Sequence, residues 1–222
     1  MLQELIQRET REFHLAKVRY KEGLEVIVII DYRTGNLRSI QKSFERFYSK
    51  VIISKNPALL QKAKGIILPG VGAYGDAVKE LKEYNLFDLL KALIRQVPTM
   101  GICLGMQLLF SNSEESIGIS GLDVIPGKVL KLKENDSIRV PHMGWNRLIP
   151  KSEPYFYGYV YFNHSYYCSP KDKKIIISTV NHGLSIPVII LKDNIIGTQF
   201  HPEKSKDIGD EIIKYFISMI KR

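Results

Sequence analysis

The chain has 222 residues, 45% hydrophobic and 25% charged, which predicts one ordinary globular domain able to bury roughly 70% of its unfolded surface. No run of about 18 apolar residues predicts a membrane helix, and the N-terminus is too charged for a secretory signal, so we expect a cytoplasmic protein without a membrane partner. The formal net charge of +9 comes from lysines spread along the whole sequence, which argues against nucleic acid as a partner.

Residues 1–24 precede the first predicted strand and differ from the rest of the chain in composition and in the pattern of apolar residues. They are rich in charged side chains and show only a loose helical spacing of apolar ones. We interpret them as an N-terminal extension, either an appended helix or a frayed leader, and we predict a single domain over residues 25–222.

From residue 26 onward, apolar runs and helical patterns alternate. Strands are predicted at residues 26–30, 51–54, 65–68 and 99–102, helices at residues 35–49, 76–83, 87–96, 104–110 and 207–220, and short β-segments between residues 122 and 199. This order predicts an α/β fold with an open, mixed, mostly parallel sheet flanked by helices, and with extra antiparallel strands in the second half. Functional loops of such a sheet lie at the carboxyl ends of its strands.

Cys103 stands at the end of the fourth predicted strand, directly before a helix. Gly101 and Gly105 allow a sharp strand-to-helix turn that exposes the side chain between them, as in a nucleophile elbow. The helix N-terminus would favour the thiolate form of the cysteine. An isolated cysteine between hydrophobic residues is more often a small core residue, so the catalytic interpretation needs a second group.

That second group follows another apolar run, residues 194–200. His201 can act as base and then as acid, and Glu203 can hold the second imidazole nitrogen, provided that a local turn brings the carboxylate to the ring. Cys103 and Cys168 are the only cysteines of the chain. Because one of them must be a free thiolate, we expect no structural disulfide and a reducing compartment.

Five segments in order extend this pattern. They are residues 30–37 (IDYRTGNL), 68–73 (LPGVGA), 141–146 (PHMGWN), 161–166 (YFNHSY) and 199–205 (QFHPEKS). With the Cys103 elbow, they resemble the class I glutamine amidotransferases, and among these the glutaminase subunits of imidazole glycerol phosphate synthase. The resemblance runs from about residue 25 to the C-terminus and implies the class I glutamine amidotransferase fold.

The resemblance implies that Cys103, His201 and Glu203 are the triad that hydrolyses the side-chain amide of L-glutamine. Attack on an amide makes an oxyanion, which needs preorganised N–H donors. One donor would be the N–H of Leu104, and the others would come from the loop of Gly70, Val71 and Gly72, although such a loop by itself is usually an ordinary turn. The family implies that this loop reorients before hydrolysis, and its glycines allow such a rotation.

Further roles are implied by position in the matching segments. Gln107 lies on the same side of its helix as Cys103, either as a substrate contact or as a polar residue on the helix flank. The segment that contains the single tryptophan would by itself be a packed loop. Substrate-binding positions would be Gln107, Gly105, His164, Ser165 and Tyr166. Positions at a partner interface or a gate would be Asn36, Trp145, Tyr161 and Lys204.

The implied reaction releases ammonia for use on another chain, a (β/α)₈ cyclase subunit that makes imidazole glycerol phosphate and an aminoimidazole carboxamide ribonucleotide in histidine biosynthesis. The implied partners are this cyclase, as a heterodimer, and L-glutamine. No cofactor is implied. His142 and His164 have no Cys or His beside them at metal-ligand spacing, so we predict no metal site.

Some positions depart from the family pattern. Arg33 and Thr34 replace a small residue and a methionine, and Asn163 replaces an apolar residue before His164. All three bear on the expected interface rather than on the triad. They leave open a paralogous glutaminase that feeds a sugar amidotransferase of surface-polysaccharide synthesis, and a non-catalytic scaffold of the same fold.

Overall fold

The computed structural model describes residues 25–32, 35–135 and 138–221. The predicted extension at residues 1–24, and the departures at Arg33 and Thr34, lie outside these ranges. The strands are β1 (Ile27–Ile30), β2 (Val51–Ser54), β3 (Gly65–Leu68), β4 (Thr99–Ile102), β5 (Phe110–Ser113), β6 (Ile125–Lys131), β7 (His142–Arg147), β8 (Ile149–Pro150), β9 (Tyr159–His164), β10 (Tyr166–Pro170), β11 (Ile176–Asn181), β12 (Ser185–Lys192) and β13 (Ile195–Thr198). The helices are α1 (Leu37–Glu45), α2 (Pro57–Leu60), α3 (Tyr74–Glu83), α4 (Phe87–Leu93), α5 (Leu104–Leu108) and α6 (Lys206–Ile220), with 3₁₀ turns at Lys173–Ile175 and Pro202–Lys204.

The main sheet has eight strands in the order β2-β1-β3-β4-β13-β12-β11-β8. The first five strands run parallel, and β12, β11 and β8 continue the sheet with antiparallel pairing. Beside it lie a three-stranded sheet, β10-β6-β5, and the antiparallel pair β7 and β9. The predicted mixed, mostly parallel α/β sheet with extra antiparallel strands in the second half is therefore confirmed.

The parallel strands are mostly apolar because helices cover both faces of the sheet. On β1, Val28 and Ile30 pack in the cluster that contains α3 and α4, while Ile27 and Ile29 pack in the cluster that contains Phe44 of α1 and Phe216 of α6. All four β1 side chains are fully buried. None of the helices in the described ranges is long and apolar enough to cross a membrane.

Several predicted boundaries were wrong. Helix α1 spans Leu37–Glu45 instead of residues 35–49, and α4 ends at Leu93 instead of residue 96. The short helix α2, Pro57–Leu60, was missed. The helix behind Cys103 stops at Leu108 because Phe110 pairs with Ile125 and begins β5. This pairing is a tertiary contact, so helical spacing in the local sequence could not reveal it.

The register of two neighbouring strands positions the site. β4 and β13 are parallel, and Ile102 is aligned with Thr198. The backbone N–H of Cys103 then donates to the carbonyl of Thr198 at 2.7 Å. Segments that are far apart in the sequence therefore end side by side at the carboxyl edge of the sheet, where a site is expected.

Candidate active site

The turn at Cys103 has the strained geometry of a nucleophile elbow. Its φ of 53° and ψ of −108° place a non-glycine residue at positive φ, immediately before α5. The flanking glycines are needed for close packing: a Cβ on Gly101 would lie 2.8 Å from the Cα of Met106, and one on Gly105 would lie 1.9 Å from the carbonyl oxygen of Leu68. The elbow therefore depends on both glycines, as the sequence predicts.

His201 and Glu203 meet through the 3₁₀ turn at Pro202–Lys204. The turn folds the carboxylate back, and Oε1 of Glu203 accepts from Nδ1 of His201 at 2.9 Å. Asn36 Nδ2 donates to the same Oε1 at 3.2 Å. With Nδ1 engaged, Nε2 of the imidazole is the nitrogen left for the thiol of Cys103.

The imidazole of His201 is adapted to carry a proton beside the thiol. Burial opposes its charged form, but hydrogen bonds to Cys103 and Glu203, together with their negative charges, raise the pKa of His201 to about 10. The imidazolium form of His201 is therefore favoured at neutral pH. The three residues are therefore arranged for nucleophilic and acid–base chemistry.

Ser205 holds His201 against β9, a role that sequence reasoning missed. Its Oγ donates to the carbonyl of His201 at 2.7 Å and accepts from the N–H of Tyr161 at 3.1 Å. The N–H of His201 also donates to the carbonyl of Tyr161 at 3.1 Å. The backbone of β9 therefore fixes the position of the imidazole.

A cavity of about 280 Å³ opens beside Cys103. Three lining residues had no predicted substrate role: Glu115, which lies outside the matching segments, and Pro141 and Asn163, which lie within the segments at residues 141–146 and 161–166. Gly70 and Gly105 are not part of the lining, because both pack against backbone or side-chain atoms of neighbouring segments. The predicted site residues in the lining are Cys103, Val71, Gly72, Leu104, Gln107, His164, Ser165 and Tyr166.

The loop after β3 lies directly against the elbow. A Cβ on Gly70 would lie 2.5 Å from Cβ of Leu104, and Gly72 has a φ of 127°, which favours glycine. The buried hydroxyl of Tyr32 donates to the carbonyl of Pro69 and anchors the loop at its start. The loop can therefore present N–H groups beside the nucleophile, while its role as an oxyanion hole stays a prediction.

A chain of hydrogen bonds supports the cavity wall at Tyr166. Its carbonyl accepts from Nδ1 of His164 at 2.8 Å, so Nε2 of His164 accepts from Nδ1 of His142 at 3.0 Å. Nε2 of His142 then accepts from Asn146 at 3.3 Å. This tautomer assignment follows because a carbonyl can only accept. These hydrogen bonds keep both imidazoles neutral and fix the orientation of His164 in the cavity wall.

Burial is the main cause that lowers the pKa values of both imidazoles. It lowers the pKa of His142 to about 4, helped by the charge of His182. It lowers the pKa of His164 to about 3, against the hydrogen bond to Tyr166 and with help from the charges of His142, His182 and His201. Among the described residues, no group of three or more His, Cys, Asp or Glu side chains could hold a metal ion.

The residues predicted for an interface or a gate gather on one side of the triad. Trp145 and Tyr161 are cross-strand neighbours on β7 and β9, with ring centroids 6.0 Å apart. Lys204 Nζ lies 5.5 Å from the centroid of the Tyr161 ring, and Asn36 contacts Glu203. Trp145 is 47% exposed and Met143 of the same strand is 61% exposed. This face therefore presents apolar and cationic groups next to the turn that contains His201 and Glu203.

Comparison with known proteins agrees with this geometry. Residues 28–219 match the family model described as glutamine amidotransferase class-I. The chain is 47% identical over 201 residues to "Imidazole glycerol phosphate synthase subunit HisH" of Methanocaldococcus jannaschii, which covers 88% of this chain and 100% of that protein. The protein of the same name from Moorella thermoacetica is 43% identical over 202 residues, covering 88% of this chain and 95% of its own.

Solved structures give the same fold. The chain is similar to a structure titled "Crystal structure of glutamine amidotransferase", with a TM-score of 0.72 and 18% sequence identity. The similarity covers 88% of this chain and 99% of that chain. At this identity the likeness bears on the fold alone.

Proposed function

The chain belongs to the class I glutamine amidotransferases, within the family of the imidazole glycerol phosphate synthase subunit HisH, and we propose that Cys103, His201 and Glu203 are its catalytic triad. The chain is the glutaminase subunit of that synthase and acts in histidine biosynthesis. The observation that carries the triad is the elbow at Cys103 beside an imidazole held at 2.9 Å by a buried carboxylate.

Hydrolysis proceeds in two steps. The Cys103 thiolate attacks the Cδ of glutamine, and the imidazolium of His201 protonates the leaving group, which departs as ammonia and leaves a γ-glutamyl thioester. His201 then takes a proton from water, whose oxygen attacks the thioester and releases glutamate and the thiol. Each oxyanion is stabilised by the N–H of Leu104 and by the loop from Gly70 to Gly72.

The ammonia serves a partner chain. We propose that a (β/α)₈ cyclase subunit docks on the face that contains Trp145, Tyr161 and Lys204, forms a heterodimer and receives ammonia through a channel. Exposed apolar and cationic side chains beside the catalytic turn support this placement. A cytoplasmic location is proposed because a reactive thiolate needs a reducing compartment.

The test is a glutaminase assay of the full chain with and without the cyclase subunit and a nucleotide ligand of the cyclase. We expect co-purification of the two subunits and a large stimulation by the ligand. Stimulation by an ATP-dependent sugar amidotransferase instead would identify the paralogous enzyme. A chain that hydrolyses no glutamine with either partner would contradict the proposed activity.

A matched pair of cysteine variants separates the two half-reactions. In the complex, Cys103→Ala should abolish glutamine-dependent synthesis and preserve synthesis from added ammonia, because the cyclase would act unaided. Cys168→Ala is the control, since Cys168 is buried on β10 outside the cavity lining. A glutamine-analogue electrophile should label Cys103 and spare Cys168, whereas a non-catalytic scaffold would show no such preference.

A further inference from the structure

Gln199 is a buried polar residue that neither the motif nor the triad explains. It lies directly after β13, two residues before His201, and its side chain is fully buried between Thr198 and Phe200. Its Nε2 lies 3.7 Å from Sγ of Cys103, and its Oε1 lies 3.4 Å from Nε2 of Gln107. A buried amide that contacts the nucleophile calls for a chemical role.

The direction of the Gln199 amide follows from its neighbours. Nε2 of Gln107 donates to the carbonyl of Tyr166 at 3.2 Å, and a carbonyl can only accept, so the nitrogen of Gln107 must point there. The same nitrogen faces Gln199, so the atom of Gln199 that meets it is the acceptor Oε1. The other end of Gln199, with its N–H donors, therefore points at the sulfur.

We propose that Gln199 is a further catalytic residue, whose Nε2–H donates to the Cys103 thiolate and stabilises it for attack. The inference rests on the proposed function, because it concerns the same nucleophile. The thiol proton moves to Nε2 of His201, and Gln199 gains or loses no proton. An N–H donor interacts more strongly with a charged acceptor than with a neutral one, so it favours the thiolate over the thiol.

The surroundings of the sulfur strengthen this assignment. The carbonyl of Asn163, 4.0 Å from Sγ, can accept from the thiol but can only repel a thiolate. Gln199 and His201 are then the side chains recorded as hydrogen-bonded to Sγ, and of these two Gln199 donates without changing its charge. Gln107 and Tyr166 hold the amide in the donating direction.

Gln199→Met tests this role with little change in volume. The variant removes the donor to Cys103, while Gln107 keeps its bond to Tyr166 and loses only the longer contact with Oε1 of Gln199. We expect the glutaminase kcat to fall by about tenfold, the size of a lost hydrogen bond to a charged group, with a smaller change in KM. At fixed neutral pH, the ultraviolet absorbance of the thiolate and the alkylation rate of Cys103 by iodoacetamide should fall in parallel.

Thr198→Val is the matched control on the same strand. It removes a buried hydroxyl that donates to the carbonyl of Phe200 at 3.2 Å and that makes no recorded contact with Cys103. This variant should keep the wild-type thiolate absorbance and alkylation rate. In Gln199→Glu, the thiolate absorbance and the alkylation rate of Cys103 should fall further than in Gln199→Met, because a carboxylate would face the sulfur.

The outcomes separate the inference from the proposed function. Wild-type alkylation of Cys103 in Gln199→Met would overturn the role of Gln199 and leave the glutaminase assignment intact. An equal loss of thiolate in Thr198→Val would also overturn it, since the effect would then be general to the strand. A wild-type chain without any thiolate at Cys103 would overturn both.

Discussion

Ser205→Ala is the most informative structural perturbation, because Ser205 connects the catalytic turn to β9 through a single hydroxyl. The hydroxyl is almost fully buried, with 1% exposure of the residue, and it bonds two backbone groups. The carbonyl of His201 would keep a second donor, the N–H of Lys204 at 3.0 Å. The N–H and the carbonyl of Tyr161 both face the turn that contains His201, so alanine would leave this partly buried N–H without its acceptor.

The two effects can be added in order of magnitude. Loss of the hydrogen bond to the His201 carbonyl costs about 1 kcal/mol, and an unpaired buried N–H costs about 1–3 kcal/mol. We therefore expect Ser205→Ala to lower the free energy of unfolding by about 2–4 kcal/mol. Since Tyr161 also positions His201, the glutaminase kcat should fall more than KM rises.

Ser43→Ala provides the matched control. Ser43 is also a buried serine that donates to a carbonyl, that of Ile40 at 2.7 Å, but no recorded N–H group depends on its oxygen. The control should cost less than about 1 kcal/mol. Urea unfolding of both variants, followed by tryptophan fluorescence, measures the difference. Equal stabilities of the two variants would refute the reasoning.

Three further predictions concern the site. Glu203→Gln should lower the glutaminase kcat by about a hundredfold or more while glutamine affinity changes little, and an unchanged kcat would remove Glu203 from the triad. Gly105→Ala should lower the free energy of unfolding, measured in urea, by more than about 2 kcal/mol, because its Cβ would lie 1.9 Å from a backbone carbonyl oxygen. Gly75→Ala is the control and should cost less, because the nearest atom to its Cβ is a serine hydroxyl at 2.7 Å. Equal costs for the two variants would contradict the packing argument. His142 and His164 have a lower pKa in the folded chain than in the unfolded chain, where it is near 6.5. The free energy of unfolding should therefore fall as pH drops from about 6.5 towards 4, by about 1.4 kcal/mol for each unit of pKa difference. A flat profile in that window would exclude neutral imidazoles in the fold.

The elements that local sequence predicts well are those whose environment is uniform. Val51–Ser54, Gly65–Leu68 and Thr99–Ile102 have the predicted bounds, because each is a short, mostly apolar run between residues that break a strand. Helix ends were predicted poorly. The helix after Cys103 ends early because Phe110 pairs with Ile125, a residue beyond any local pattern.

Within the site, too, local features could be predicted from the sequence and features that depend on tertiary contacts could not. The glycine-flanked cysteine and the His-Pro-Glu turn are local, so the sequence predicts their chemistry and even the need for a turn between His201 and Glu203. Gln199 and Ser205 lie at the two ends of the matching segment 199–205, but the sequence argument gave neither of them a role. Gln199 has one weak signal, a polar side chain in an apolar run, but its partners Cys103 and Gln107 come from another strand and helix.

The sequence by itself determined the α/β class and the family resemblance, and it indicated the residues of the proposed triad, because each depends on residue type and short spacing. Only the tertiary structure decided how they work together. The parallel pairing of β4 with β13 brings Cys103 beside the segment of Gln199 and His201. Burial and hydrogen bonding at that edge then set the protonation of the imidazoles, the direction of the glutamine amides and the bonds of Ser205, since these depend on which groups from distant segments are buried together.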